Sequence, residues 1–269
     1  VDSLKEILNK QYDAVFIGTG APRGKGLNLP GLEDAISNVY LGIEWLSSVA
    51  FEHTTSIGKR VLVLGGGNTA MDCCRTSRRM GGEDVRVVVR SPYDEMKASP
   101  WEKADAAHEG IPIYNNHVPK EFVVENGKLK GMTFEKVEAQ YDEKGKRTLV
   151  STGEDLVFME ADDVLMAIGQ ENSFPWIERD LGIEFDKWDM PVVDRSTFQS
   201  TNEKVFFGGD SAFGPENIIT AVAHGHQAAV SIDLFCRGAD VRKRPPPHVT
   251  LASQKMGVHE WSYDNGVAV

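Results

Sequence analysis

Short apolar runs alternate with stretches of helical spacing along most of this chain, a pattern that predicts an α/β arrangement with parallel strands. Val15, Phe16 and Ile17 mark a first buried strand. It runs into Gly18, Thr19, Gly20 and Arg23, where Pro22 and Pro30 predict a loop rather than a helix start. Over residues 40–51, Leu41, Trp45, Leu46 and Val49 recur at helical spacing. Residues 61–64 are a continuous apolar strand, a glycine-rich turn follows, and residues 71–80 continue as a helix that Gly81 and Gly82 close. Residues 85–89 form the next strand, ending at Arg90. Pro100 opens a further helix to Glu109, Gly110 ends it, and residues 111–114 make a brief strand.

The period then changes. Residues 118–158 read as alternating strands, broken at Asn126–Gly127 and again at Glu143, Lys144 and Gly145, which predicts a small antiparallel insert. Residues 163–169 and 205–210 return to buried strands, and a long helix is expected over about 216–235. Lys243 and Arg244 with the three prolines that follow read as a stiff basic linker, and the last residues as an arm. The run from Arg242 to Arg244 is either a docking element for a partner or a solvated linker.

Composition narrows the function classes. With 29 basic and 40 acidic residues the net charge is −11, so no basic excess exists to displace counterions from a nucleic-acid backbone. No apolar run approaches the ~20 residues of a membrane span, and the first ten residues lack the order of a secretion signal. Three cysteines, Cys73, Cys74 and Cys236, make no disulfide scaffold, and a cytoplasmic location is the expectation. They are also too few for an iron–sulfur cluster, so such a centre would belong to a partner or to another segment.

Gly65–x–Gly67–x–x–Ala70 follows an apolar strand and opens a helix, the context in which a G-x-G-x-x-A pattern binds a dinucleotide. Gly65 permits the tight turn, Gly67 lets a pyrophosphate approach the backbone, and Ala70 allows close packing of helix on strand. Gly66, Asn68 and Thr69 complete the turn, whose helix start offers free N–H groups to phosphate. The following strand ends in Arg90 and Ser91, without the acidic residue that holds an NAD ribose. Arg90 suits a 2′-phosphate and Ser91 can donate to it, which favours NADP(H) over NAD(H). Arg90 stacked on adenine, or left in solvent, is the alternative. No catalytic acid, base or metal ligand set is singled out. Cys73 and Cys74 lack C-x-x-C spacing and read as core residues, and His224 and His226 point to different sides of a helix. Asp162 with Asp163 reads as a turn, and Glu109 as a contact near a nicotinamide.

Residues 61–73, Val-Leu-Val-Leu-Gly-Gly-Gly-Asn-Thr-Ala-Met-Asp-Cys, resemble the glutamate synthase small (β) subunit family, which belongs with the FAD/NAD(P)H pyridine nucleotide-disulfide oxidoreductases. Residues 12–20, 90–96, 107–111, 207–210 and 220–229 agree with it. The family includes the flavin subunit of NADH-dependent ferredoxin:NADP oxidoreductase and a domain of dihydropyrimidine dehydrogenase. The resemblance implies an α/β fold: a Rossmann-like three-layer NAD(P)-binding domain with an antiparallel insert over residues 38–169, nested in the remnant of a second, FAD-binding Rossmann-like domain over 1–37 and 170–238, with residues 239–269 as linker and arm. It also implies that Gly209 and Asp210 meet FAD, that a helix N-terminus near Asn217, Ile218 and Ile219 points at the flavin, and that Thr19 and Gly20 line the same site. Gly169 is counted among the cofactor contacts. A helix cap or turn is the other reading of Asp210. The family's first FAD strand and its glycine turn are absent here, and family members often carry a second arginine where Ser91 stands. The expected activity is hydride transfer between NAD(P)H and FAD, with electrons passed to an iron–sulfur or flavoprotein partner. The alternative is a nucleotide-binding or docking module without catalysis of its own.

Overall fold

The computed structural model describes residues 2–10, 12–142, 145 and 147–244. The chain opens with α1 (Leu4–Leu8), β1 (Val15–Ile17), β2 (Arg23–Gly24), α2 (Leu32–Ala35), β3 (Val39–Leu41) and α3 (Gly42–Ala50). The central βα units are β4 (Arg60–Leu64), α4 (Asn68–Arg79), β5 (Asp84–Val88), α5 (Pro100–His108) and β6 (Ile113–Tyr114). Then come β7 (His117–Glu125), β8 (Lys128–Tyr141), β9 (Arg147–Ser151), β10 (Val157–Glu160), β11 (Asp163–Met166), β12 (Gln170–Glu171), β13 (Val205–Phe207), α6 (Asp210–Phe213) and α7 (Ile218–Cys236).

Five parallel strands in the order β3-β11-β4-β5-β6 form the main sheet. Successive side chains of a strand point to opposite faces, and each face has its own core. Val61, Val63, Val85, Val87 and Leu165 turn to one side, where they meet Trp45, Met71 and Ala106 of α3, α4 and α5. Leu62, Leu64, Val88, Val164 and Met166 turn to the other, where Phe122, Leu129, Met132 and Phe134 cover them. The layers are therefore helix, parallel sheet and antiparallel sheet. The antiparallel layer is the expected insert: β8 pairs with β7 along one edge and with β10 and then β9 along the other. Asn126 and Gly127 both take positive φ, as the turn signal requires. Glu143 and Lys144, in the next expected turn, lie outside the described residues, as do residues 245–269 of the linker and arm.

A second unit is smaller. β1 and β13 pair in parallel, and Leu4, Ile17, Phe174, Ile177, Val205 and Phe207 form its core. The chain crosses between the units at β2 and β12, which pair antiparallel through Gly24 with Gln170 and Arg23 with Glu171. Residues 27–37, expected within the smaller, FAD-binding unit, lie beyond that crossing. Leu27, Leu29, Leu32 and Ala35 bury their apolar surface against the insert side of the main sheet. The structure also divides residues 40–51, expected as one helix. Tyr40 and Leu41 extend β3 beside Leu165 and Met166, and the helix begins at Gly42. Helical spacing alone could not reveal that strand, because sheet pairing fixes it. Among the described residues no helix is long and apolar enough to cross a membrane.

Asp162 and Asp163 tie the edge of this sheet to its neighbours. The Asp163 carboxylate accepts from Asn38 Nδ2 at 3.0 Å and from the Gly58 amide at 2.6 Å. Asp162 accepts from the Arg60 amide at 2.9 Å and from its guanidinium at 2.6 Å. The Arg60 hydrogen bond holds the Asp162 carboxyl below the ordinary carboxylate range. A group depressed in the folded state stabilises above its unfolded pKa, and that stabilisation is lost as pH falls through the folded value. Asp162→Asn is therefore expected to cost about 1 kcal/mol at pH 7. In melting curves taken across pH, the gap to wild type should close below about pH 4, where the unfolded carboxyl is protonated.

Candidate functional site

The turn after β4 sits where strand order reverses. From β4 the chain moves outward through β5 and β6, then returns on the other side of β4 as β11. Such a reversal opens a crevice at the carboxyl ends of the strands, the usual ligand position in open α/β sheets. Gly65 stands immediately beyond β4, and Gly169 three positions beyond the end of β11. Gly65 takes φ +137°, and a Cβ on it would lie 2.1 Å from the Ala167 carbonyl oxygen. Its amide donates to the Val88 carbonyl at 3.0 Å, so the fold itself demands glycine here. Gly67 differs. Its backbone is extended, and a Cβ on it would meet no protein atom within 4 Å.

The helix α4 then opens at Asn68 with Gly67 as N-cap and no side-chain cap. Its first amides lack the intrahelical partner that later ones have, which leaves a donor cluster for an anion. Ala70 is fully buried under this turn. Asn68 looks sideways: its Oδ1 accepts from the Ser99 amide at 2.8 Å, while Ala98 N donates to Gly66 O at 2.9 Å. The loop before α5 thus braces the turn, a role that sequence spacing did not reveal. Thr69 is half-buried in the first helical turn.

Beyond β5, Arg90 is exposed and Ser91 half-buried. Asn115 Nδ2 donates to Ser91 O at 2.8 Å, and Arg147 Nη1 donates to Ser91 Oγ at 2.8 Å. Arg147 arrives from β9, 56 positions further along the chain. No local pattern links the two residues.

A second cleft, of about 270 Å³, lies in the smaller unit. Gly18, Gly20, Gly209, Asp210, Asn217 and Ile218 line it, with Phe16 as a wall. Thr19 lies between two of these lining glycines, and Ile219 follows the last of them, 82% exposed. Asn217 caps α7, accepting from the Thr220 amide at 2.9 Å, so the helix start falls beside the cleft. Asp210 Oδ1 accepts from the Glu216 amide at 3.1 Å and ties the loop before α7. His224, weighed above only as a metal ligand, has another part: its Nδ1 accepts from the Gly209 amide at 3.2 Å while its ring packs between Phe198 and Phe213.

Other residues fall away from these sites. Glu109 accepts from Arg75 at 2.8 Å and from Arg79 at 2.6 Å, at the end of α4 away from the glycine turn. The nicotinamide contact suggested for it is corrected: with Glu102 and Asp105 it pins α5 to α4 through Arg75. Cys73 and Cys74 are wholly buried in the helix-side core, and burial pushes both thiols up, Cys74 to about 12. Arg244 lies along α7, donating to Gln227 O at 2.8 Å.

A family model for pyridine nucleotide-disulphide oxidoreductases matches residues 3–225. This chain belongs to that family. Among the chain's relatives, the NADP(+)-dependent formate dehydrogenase subunit beta of Moorella thermoacetica is 33% identical over 270 residues, covering 99% of this chain and 38% of that protein. The glutamate synthase [NADPH] small chain of Halomonas elongata is 36% identical over 244 residues, covering 84% of this chain and 50% of its own. The chain thus spans about two fifths to one half of these curated relatives. Mycobacterium tuberculosis FprA, solved in complex with NADPH, superposes with a TM-score of 0.67 at 17% identity, over 96% of this chain and 71% of its own. That likeness is one of fold, and it identifies the architecture as Rossmann-like.

Proposed function

We propose that this oxidoreductase chain holds NADP(H), in preference to NAD(H), on the turn from Gly65 to Ala70, and contributes part of an FAD site at the Gly209–Asp210 cleft. Gly67 carries the reading. The fold makes no demand for glycine there, yet the position stands open beside an uncapped helix start at the strand-order reversal. A backbone that must admit a pyrophosphate accounts for all three features. A nucleotide held on residues 65–70 would supply hydride chemistry, and a flavin held in part at Gly209 and Asp210 would supply the two-electron to one-electron conversion that iron–sulfur centres of a partner subunit require.

The chain's own part is binding and orientation. The first amides of α4 meet the pyrophosphate, and Gly169, at φ +124°, stands beyond the end of β11, the neighbouring strand. On the flavin side, the start of α7 turns its positive dipole end toward the cleft, and His224 fixes the Gly209 amide. The cleft is built on two strands only. Phe16 is 43% exposed and Ile218 82%, apolar surface that the rest of an FAD-binding domain would cover. That exposure favours one further reading, in which the chain binds nucleotide by itself and gains flavin only with additional protein. The relatives' names, a formate dehydrogenase subunit and a glutamate synthase small chain, support a role as the electron-input subunit of a larger redox enzyme.

Titration of the purified chain with NADPH and with NADH, followed by nucleotide fluorescence, tests the first part. The expected result is saturable binding with NADPH the tighter ligand. No binding of either nucleotide overturns the reading. A visible spectrum taken beforehand shows whether flavin travels with the chain.

A further inference from the structure

Arg90 is the only cation the local sequence offers at the end of β5 for a 2′-phosphate. A phosphate monoester carries close to two negative charges at pH 7, and one exposed guanidinium compensates half of that. The structure brings a second to the same place. Arg147 Nη1 donates to Ser91 Oγ at 2.8 Å and pairs with the Glu95 carboxylate. Its side chain is only 27% exposed, so its charge is less screened than that of a free surface arginine.

The approach is fixed from both sides by two backbone hydrogen bonds and one from a side-chain amide. His117 N donates to Val89 O at 3.0 Å, Val137 N to Asn116 O at 2.9 Å, and Asn115 Nδ2 to Ser91 O at 2.8 Å. Strand β9 then pairs with β8 from Ser151 against Val137 to Arg147 against Tyr141. The insert is thereby seated on the end of β5, and its final pair delivers Arg147 to Ser91.

We propose that Arg147, carried in by the antiparallel insert, is a second cationic ligand for the 2′-phosphate and so a determinant of the preference for NADP(H). This rests on the reading that residues 65–70 bind a dinucleotide. Before ligand arrives, Glu95 keeps the guanidinium aimed at Ser91. An incoming phosphate competes with that carboxylate for the same donors, so Glu95 opposes NADP(H) binding while it orders the site. A purely structural Arg147–Glu95 staple between insert and sheet makes a different prediction: altering either residue would change both nucleotides alike.

The test is a set of dissociation constants for NADPH and NADH at low ionic strength, on the full chain and on Arg147→Gln and Glu95→Gln. Arg147→Gln is expected to weaken NADPH about tenfold and to leave NADH within about twofold, the scale of one charged hydrogen-bonding partner. Retained NADH binding also certifies that the variant is folded. Glu95→Gln keeps Arg147 and removes its competitor, so NADPH should tighten severalfold with NADH unchanged. Equal changes for the two nucleotides, or no change in either variant while wild type prefers NADPH, overturn the proposal. A wild-type chain that binds neither nucleotide overturns the dinucleotide reading beneath it, and a wild type without preference removes only the role of Arg147.

Discussion

Gly67→Val is expected to abolish dinucleotide binding and leave the protein folded. The new side chain would meet no protein atom within 4 Å, and the backbone at φ −100° and ψ 176° is one that valine adopts readily. The cost to stability is that of a poorer N-cap, below about 1 kcal/mol. The space it fills is the approach to the first amides of α4. Affinity for NADPH and NADH should fall together by at least about a hundredfold, or ~2.8 kcal/mol, because the pyrophosphate is common to both. Thermal melting beside a fluorescence titration checks the two halves. A variant that still binds with wild-type affinity would remove the pyrophosphate from this turn.

Gly65→Val should do the reverse in order of cause. Here the substitution meets the Ala167 carbonyl at 2.1 Å on a backbone at φ +137°, a conformation that β-branched residues avoid. Strain and clash must be relieved by pulling β4 away from β11, whose pairing runs from Asp163 with Val61 to Met166 with Leu64. The expected loss is ~3–5 kcal/mol, read as a melting temperature lower by about 10 °C or more. Binding is lost as a consequence of that displacement. Two glycines of one motif, two residues apart, are thus expected to separate by melting temperature, with the loss of fold confined to the Gly65 variant.

The pattern itself assigns Gly65 to the turn and Gly67 to the ligand; the Ala167 carbonyl that forbids a side chain at Gly65 comes from the residue after β11, remote in the chain. What could be read was whatever a local period carries. The apolar run at residues 61–64, the helix closed by Gly81, the helix between Pro100 and Gly110 and the Asn126–Gly127 turn all stand where the pattern puts them. What could not be read depends on partners remote in the chain. The five-residue α1 is too short to show a period, and its Ser3 cap gains a second tie from Glu178. Strands β2 and β12 are two residues each and exist because they pair with one another. Tyr40 and Leu41 carry helical spacing yet lie in β3, since Leu165 and Met166 wait beside them. Glu109 sits at a helix end that suggested a ligand contact until Arg75 and Arg79 were found on it. Arg147 shows the limit most plainly, because 56 positions separate it from Ser91.

The burial of Cys73 and Cys74 has a practical side. A thiol reacts with maleimides and disulfide reagents as its thiolate, and both of these are sealed beneath α3 and β4 and held protonated at neutral pH. Cys236, exposed at the far end of α7, is the remaining cysteine. Within this chain Cys236 is thus the one thiol of the three that such reagents reach. A fluorophore or spin label attached there would ride on the helix that begins beside the Gly209–Asp210 cleft, eighteen positions after its first residue, and would report on any molecule that settles against that helix.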